Sequence, residues 1–386
     1  MLVIGVPRES FPGEQRVALI PASVPALAKI GCKVLIERGA GELAGYTDKA
    51  YEEHGATLVP DRATVFEQAQ VIVQLLGIGA NPPRGREDLS RFRAGQVVVG
   101  FLRALGNPEA IEELAKTGVS AFAIEMLPRI TRAQSMDALT SMATVAGYKA
   151  VLVAAQALPK MFPLMMTAAG TLRPAKVLVL GAGVAGLQAI ATARKLGGVV
   201  SAYDIRPAAK EQVLSLGARF VELPLETQDV EDKSGYAKPQ DERFLERQRE
   251  LLAKVIADSD VVITTANVPG RKAPVLVTAE MVAGMAPGSV VVDLAAERGG
   301  NCAVTRANEE VLYHGVRVFG PVNLAGTVPY HASQMYSNNI VAFLLHVFPK
   351  GELQFDLSDE ITAETLVAHE GRVVHPAVQN ALARGQ

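Results

Sequence analysis

One run constrains the fold more than any other: Ala175-Lys-Val-Leu-Val-Leu-Gly181-Ala182-Gly183-Val184-Ala-Gly186, with a helical pattern continuing to Arg194. Val177 to Leu180 form an unbroken apolar stretch, the pattern of a parallel strand buried on both faces. Gly181 permits a tight turn out of that strand, Gly183 lets backbone N–H groups approach a pyrophosphate, and Gly186 lets the helix pack close to the sheet. The free N–H groups and positive dipole end of the helix then face the anion. A chain with 34 glycines can produce such spacing by chance. The context argues otherwise, because a second strand at 199–203 ends in Asp204, about 20 residues past the glycines, where an acidic group holds adenosine ribose hydroxyls. Asp204 repels a 2′-phosphate and Arg206 only partly offsets it, which favours NAD over NADP.

Length and composition leave room for more than this unit. The 386 residues, 49% hydrophobic and 20% charged, imply about two or three domains with substantial cores. A net charge of −2 without a basic run argues against nucleic acid as a partner. Cys32 and Cys302 are far apart and lack neighbouring ligands at zinc spacing, so neither a disulfide framework nor a metal site is expected. The N-terminus reads as a strand rather than a signal peptide. The most apolar stretch, 142–172, contains Lys149, Lys160 and two prolines, and is expected to be a buried helix rather than a membrane span.

Strand patterns at 2–6, 33–37, 71–75, 96–101 and 119–124 alternate with helical patterns at 21–30, 48–54, 63–68 and 108–117, the last with Asn107 as N-cap and Pro108 at N1. Such alternation implies a mostly parallel sheet covered on both faces. A polar connection from 126 leads into a long apolar helix over 136–158. The glycine unit follows, with further strands at 219–223, 261–265, 289–294 and 317–319. The segment 224–242 is long and polar for a connection, and such loops are functional or disordered. A helix over 331–347 and a β-like tail at 371–375 are too little to bury a core alone. The expected fold is α/β, with two doubly wound domains of mostly parallel sheets: a discontinuous first domain, 1–139 with 324–386, and a Rossmann dinucleotide-binding domain, 140–323.

Arg129-Ile-Thr-Arg-Ala-Gln134-Ser135-Met136-Asp137 closely resembles the Arg–Gln–Asp loop of the NAD(H)-binding domain of proton-translocating nicotinamide nucleotide transhydrogenases. Val3-Ile-Gly-Val-Pro-Arg-Glu9, Arg16-Val-Ala-Leu-Ile-Pro21, Met165-Met-Thr-Ala-Ala-Gly-Thr171, Gly235-Tyr-Ala-Lys238, Ile263-Thr-Thr-Ala266 with Pro269-Gly270, and Gly299-Gly-Asn-Cys302 extend the resemblance over nearly the whole chain. Alanine dehydrogenases share the fold and much of the N-terminal pattern. Their chemistry needs a proton acceptor and cations for the substrate carboxylate. Where that family has a lysine and a histidine, this chain has Gln74 and Arg103; where it has an aspartate, Glu297 stands, while Arg16 is kept. Hydride transfer between two nicotinamides manages no proton at the reacting carbons. It requires two rings held at roughly 3–3.5 Å and water excluded.

The resemblance implies an NAD(H)-binding subunit with NADP(H) on a partner. Gly181, Ala182, Gly183 and Val184 would meet the pyrophosphate. Asp204 would hold the adenosine ribose, with Ile205 and Arg206 beside the adenine, while Thr265, Ala266 and Asn267 line the strand end. Arg129, Asp137 and Thr140 would surround the carboxamide, with Ser135 and Met136 in the same loop. Gln134 would bond the nicotinamide ribose and reach toward the partner. Gly235, Tyr236 and Gln248 would close a mobile loop. Arg129, Gln134 and Asp137 are the candidate catalytic residues. The resemblance also implies a homodimer, docked on the cytoplasmic face of a bacterial inner membrane through a membrane-spanning subunit and an NADP(H)-binding subunit, with proton flow driving NADPH formation. The chain is expected to be soluble by itself, since fused forms continue into a membrane part. A stand-alone alanine dehydrogenase and a non-catalytic NAD-sensing module are the alternative readings.

Overall fold

The structure, a computed structural model, describes residues 1–224, 242–267 and 272–385. They form two compact units, Met1–Met142 with Ala325–Gln386, and Ala143–Leu324. In the first, β1 (Val3–Val6), β2 (Lys33–Glu37), β3 (Thr57–Val59), β4 (Val71–Leu76), β5 (Val97–Phe101) and β6 (Ser120–Ala123) are parallel, in the order β3-β2-β1-β4-β5-β6. The last two strands of the chain, Leu366–His369 and Arg372–Val373, extend this sheet antiparallel beyond β6. The 19-residue helix Pro329–Val347 returns to this unit and buries Tyr336, Ile340, Phe343 and Leu344.

The second unit contains an isolated hairpin, β7 (Met165–Thr167) and β8 (Gly170–Leu172). Its main sheet comprises β9 (Lys176–Leu180), β10 (Val199–Tyr203), β11 (Arg219–Phe220), β12 (Val261–Thr264), β13 (Val290–Asp293), β14 (Glu310–Tyr313) and β15 (Val316–Phe319), in the order β11-β10-β9-β12-β13-β15-β14. All but β14 are parallel. Leaving that edge strand aside, this is the 3-2-1-4-5-6 order of a doubly wound dinucleotide-binding sheet, and the first unit has the same order through its six parallel strands. Side chains alternate between two cores: Val177, Val179, Val261 and Ile263 face one, while Leu178, Leu180, Val262 and Val291 face the other.

Several elements depart from the sequence reading. β3 has only three residues and was not anticipated; nor were β7, β8, Leu366–His369 and β14. β14 and β15 turn at His314-Gly315, both at positive φ (+49° and +80°), the backbone of a type I′ hairpin with histidine in the position usually given to asparagine. The strand expected over 219–223 stops at Phe220. Asn107 caps nothing with its side chain, which reaches the Gly79 carbonyl instead. The long helix covers Ala138–Ala157, preceded by a 3-10 run at Thr131–Met136. Because it ends before the first proline and contains one lysine, this helix is by length and composition apolar enough to cross a membrane. Its Ala150, Val151 and Ala154 nevertheless lie in the core of the second unit.

Candidate functional site

In an open α/β sheet ligands bind outside the carboxyl ends of the strands, where the strand order reverses. In the second unit this place lies at the ends of β9 and β12. Gly181 leaves β9 at φ +100°, and a Cβ there would stand 2.6 Å from Thr265 Oγ1. The Thr265 hydroxyl donates to the Gly181 carbonyl at 2.9 Å, tying the two strand ends together. A Cβ on Gly186 would come within 1.9 Å of that same carbonyl, so the helix Val184–Lys195 packs as only glycine allows. Gly183, the N-cap, differs: a Cβ there meets no atom within 4 Å, and no side chain caps the helix. An open space before uncapped N–H groups fits a phosphate.

Asp204, 9% exposed, accepts the Ala182 N–H at 2.7 Å and the Arg206 N–H at 2.9 Å. The Arg206 guanidinium also grips both carboxylate oxygens at 2.9 Å. The Ala182 N–H is thus committed to Asp204 rather than left for an anion. Beside it Tyr203, whose phenol burial pushes up to about 12, accepts from Gln248 Nε2 at 2.8 Å. Gln248 is 1% exposed, yet its Oε1 has no partner among the described residues. Ile205, Thr265 and Ala266 are half-buried and Asn267 is exposed. Gly235 and Tyr236 lie outside the described residues. Sequence reasoning missed Asn301, fully buried, whose Nδ2 bonds the carbonyls of Ala266 and Pro274 at 2.8 Å each. The one available signal was its place after Gly299-Gly300, both at positive φ.

In the first unit the run Thr131–Met136 is fixed by buried Ala133 and Met136, leaving Gln134 and Ser135 exposed, as is Arg129. Asp137 accepts from the Thr140 N–H at 2.9 Å and the Thr140 hydroxyl at 2.6 Å, capping the helix Ala138–Ala157. The structure therefore brings Asp137 and Thr140 together in one unit, and Gly181, Ala182, Asp204, Arg206 and Thr265 together in the other.

At the β1 and β4 ends of the first sheet the backbone is already engaged. The Glu9 carboxylate accepts the N–H groups of Leu75 at 2.6 Å and Leu76 at 3.1 Å. Burial pushes this carboxyl up to about 7. The Gln74 carbonyl accepts from the Tyr336 hydroxyl, and the Gln74 amide donates to Asp88 at 3.0 Å. Arg16 is held by Glu14 through Nε and Nη2, at 2.7 and 2.6 Å. Among the described residues no cluster of three or more His, Cys, Asp or Glu side chains is placed to hold a metal.

Comparison with known proteins covers the same ground. Residues 5–146 match the family description "Alanine dehydrogenase/PNT, N-terminal domain" and residues 150–376 match "Alanine dehydrogenase/PNT, C-terminal domain". The chain is 43% identical to an NAD(P) transhydrogenase subunit alpha chain of Rhodospirillum rubrum over 378 residues, 97% of this chain and 98% of that one. The crystal structure of a transhydrogenase from Sinorhizobium meliloti matches with a TM-score of 0.84 at 44% identity, covering 97% of this chain and 99% of that one. An L-alanine dehydrogenase structure matches with a TM-score of 0.81 at 27% identity, covering 99% of both.

Proposed function

The chain belongs to the alanine dehydrogenase/PNT family, and from that premise we propose that it is the NAD(H)-binding subunit of a proton-translocating transhydrogenase. It holds NADH for direct hydride transfer to NADP⁺ on a partner subunit. The observation that carries this reading over amino-acid oxidation is Gln74: an amide donating to Asp88 stands, with Arg103, where the resemblance to alanine dehydrogenases implies the lysine and histidine that bind the substrate carboxylate and take the proton. When bound, the dihydronicotinamide supplies the hydride.

The chain's own residues bind and aim. The uncapped N–H groups after Gly183, with Gly181 and Val184, receive the pyrophosphate. Asp204 takes the adenosine ribose, with Ile205 and Arg206 beside the adenine. Thr265, Ala266 and Asn267 line the strand end. Gln248 Oε1, without a partner among the described residues, offers an acceptor to the nucleotide, with Gly235 and Tyr236 as the other members of that set. Arg129, Asp137 and Thr140 orient the carboxamide, and the exposed Gln134 reaches both the nicotinamide ribose and the partner's NADP(H).

The functional assembly is a homodimer with a membrane-spanning subunit and an NADP(H)-binding subunit, on the cytoplasmic face of the inner membrane. The hairpin β7–β8 supports a second copy. It exposes Met166 (80%) and Leu172 (46%), with Leu164 (56%) just before it, and an isolated two-stranded hairpin is marginal in water.

Mixing the chain with an NADP(H)-binding partner and following hydride transfer tests the reading; a non-catalytic NAD sensor gives none. Gln134→Asn should slow transfer by on the order of 10-fold or more while NADH affinity changes far less. Equal losses in rate and affinity contradict a positioning role for Gln134.

A further inference from the structure

We propose that Asn339, far from the loop in sequence, is a positioning residue that sets the aim of Gln134; the inference rests on the reading of that loop as the nicotinamide end. The run Thr131–Met136 is six residues of 3-10 helix. Such runs rarely exceed about 3–4 residues, because their hydrogen bonds are poorly aligned. It therefore needs holding from outside, and the helix Pro329–Val347 does this at two points.

At one point Asn339 Nδ2 donates to the Ser135 carbonyl at 2.8 Å, on the residue next to Gln134. At the other, Arg132 pairs with Asp359 Oδ1 at 2.6 Å, and Asp359 Oδ2 bonds His346 Nε2 at 2.8 Å. His346 lies two turns along the same helix face as Asn339. The two holds are unequal. The Arg132 side chain is 51% exposed, and an ion pair in water contributes little. Asn339 is 7% exposed, so its bond is shielded from competing water.

Asn339 is also a poor choice for packing alone. Its Oδ1 is buried without a partner among the described residues, whereas leucine would fill the same space in an apolar helix with no unmet acceptor. Asn339→Leu should therefore fold, and what it loses is the grip on Ser135. Ser135 and Gln134 keep their chemistry but not their fixed placement, and small misplacements at a hydride-transfer site reduce rate rather than affinity.

The test uses the full chain and three readouts. In Asn339→Leu, amide hydrogen exchange over 131–137 should accelerate roughly 5- to 10-fold, as expected when one buried hydrogen bond is lost. With the NADP(H)-binding partner added, hydride transfer should fall on the order of 10-fold or more, while NADH affinity and melting temperature stay near wild type. Arg132→Gln should produce the same pattern, more weakly. Unchanged exchange in Asn339→Leu overturns the proposal, as does a joint fall of rate, affinity and melting temperature, the mark of a merely structural residue. The exchange measurement needs no partner. If exchange accelerates while the wild-type chain transfers no hydride, the proposed function fails and the hold on the loop stands.

Discussion

Gly183 and Gly186 stand one helical turn apart, yet an added methyl group meets nothing at the first and the Gly181 carbonyl at the second. Gly183→Ala should cost no more than about 1 kcal/mol, that of a poorer N-cap, while weakening NADH binding on the order of 10-fold or more, because the methyl fills the space kept for phosphate. Gly186→Ala should lower stability by roughly 1–3 kcal/mol through overpacking. Thermal melts and NADH titrations of the two variants separate the effects; a Gly183→Ala chain that binds normally removes the phosphate from that turn. Glu9 gives a second prediction. Its carboxyl, raised from 4.5 to about 7 by burial, stays protonated in the folded chain where the unfolded chain ionises. Its contribution to stability is thus fully present below pH 4.5 and lost as pH rises through about 7, a swing of roughly 3 kcal/mol at most. Glu9→Gln removes that swing, so its melting temperature should gain on wild type between pH 5 and pH 8, and a difference independent of pH refutes the assignment. What the sequence made legible at this scale was local. The glycine turn and Asp204 sit on one βαβ unit, whereas Asn339 meets Ser135 across 204 residues and nothing in its own helix marks it.

Long, repeated apolar runs located most of the strands, because β9, β12 and β13 are buried on both faces and their composition records it. The missed elements lack that record. β3 is a three-residue edge, β14 alternates between exposed and half-buried positions, and β7–β8 is almost entirely exposed. In the proposed homodimer, a second copy covers the hairpin. Met166→Asp places a charge on its most exposed apolar residue and should shift the chain toward monomer in light scattering, with the NADH affinity of each chain retained. A variant that remains dimeric takes the hairpin out of the interface.

Each of the two units is built on a sheet whose six parallel strands follow the same order, and the alternation of strands and helices made that architecture readable from sequence. The division of labour between them was less readable, since it depends on which backbone groups are already engaged. If the first unit performed amino-acid oxidation, it would need a cation for the substrate carboxylate and a proton acceptor, and the Gln74 amide, donating to Asp88, supplies neither. The isolated chain should therefore show no robust alanine-dependent reduction of NAD⁺, and such turnover would replace the transhydrogenase reading with that of a dehydrogenase. The contrast between the two strand-order reversals carries one more consequence. In the second unit the turn at Gly183 opens onto free space, but in the first the N–H groups of Leu75 and Leu76 already hold the carboxylate of Glu9. The chain is its own counter-ligand there, a tethered carboxyl group where a mobile anion would bind. Duplication of the strand order thus does not duplicate the binding capacity, and equilibrium titration should saturate at a stoichiometry of about one NADH per chain.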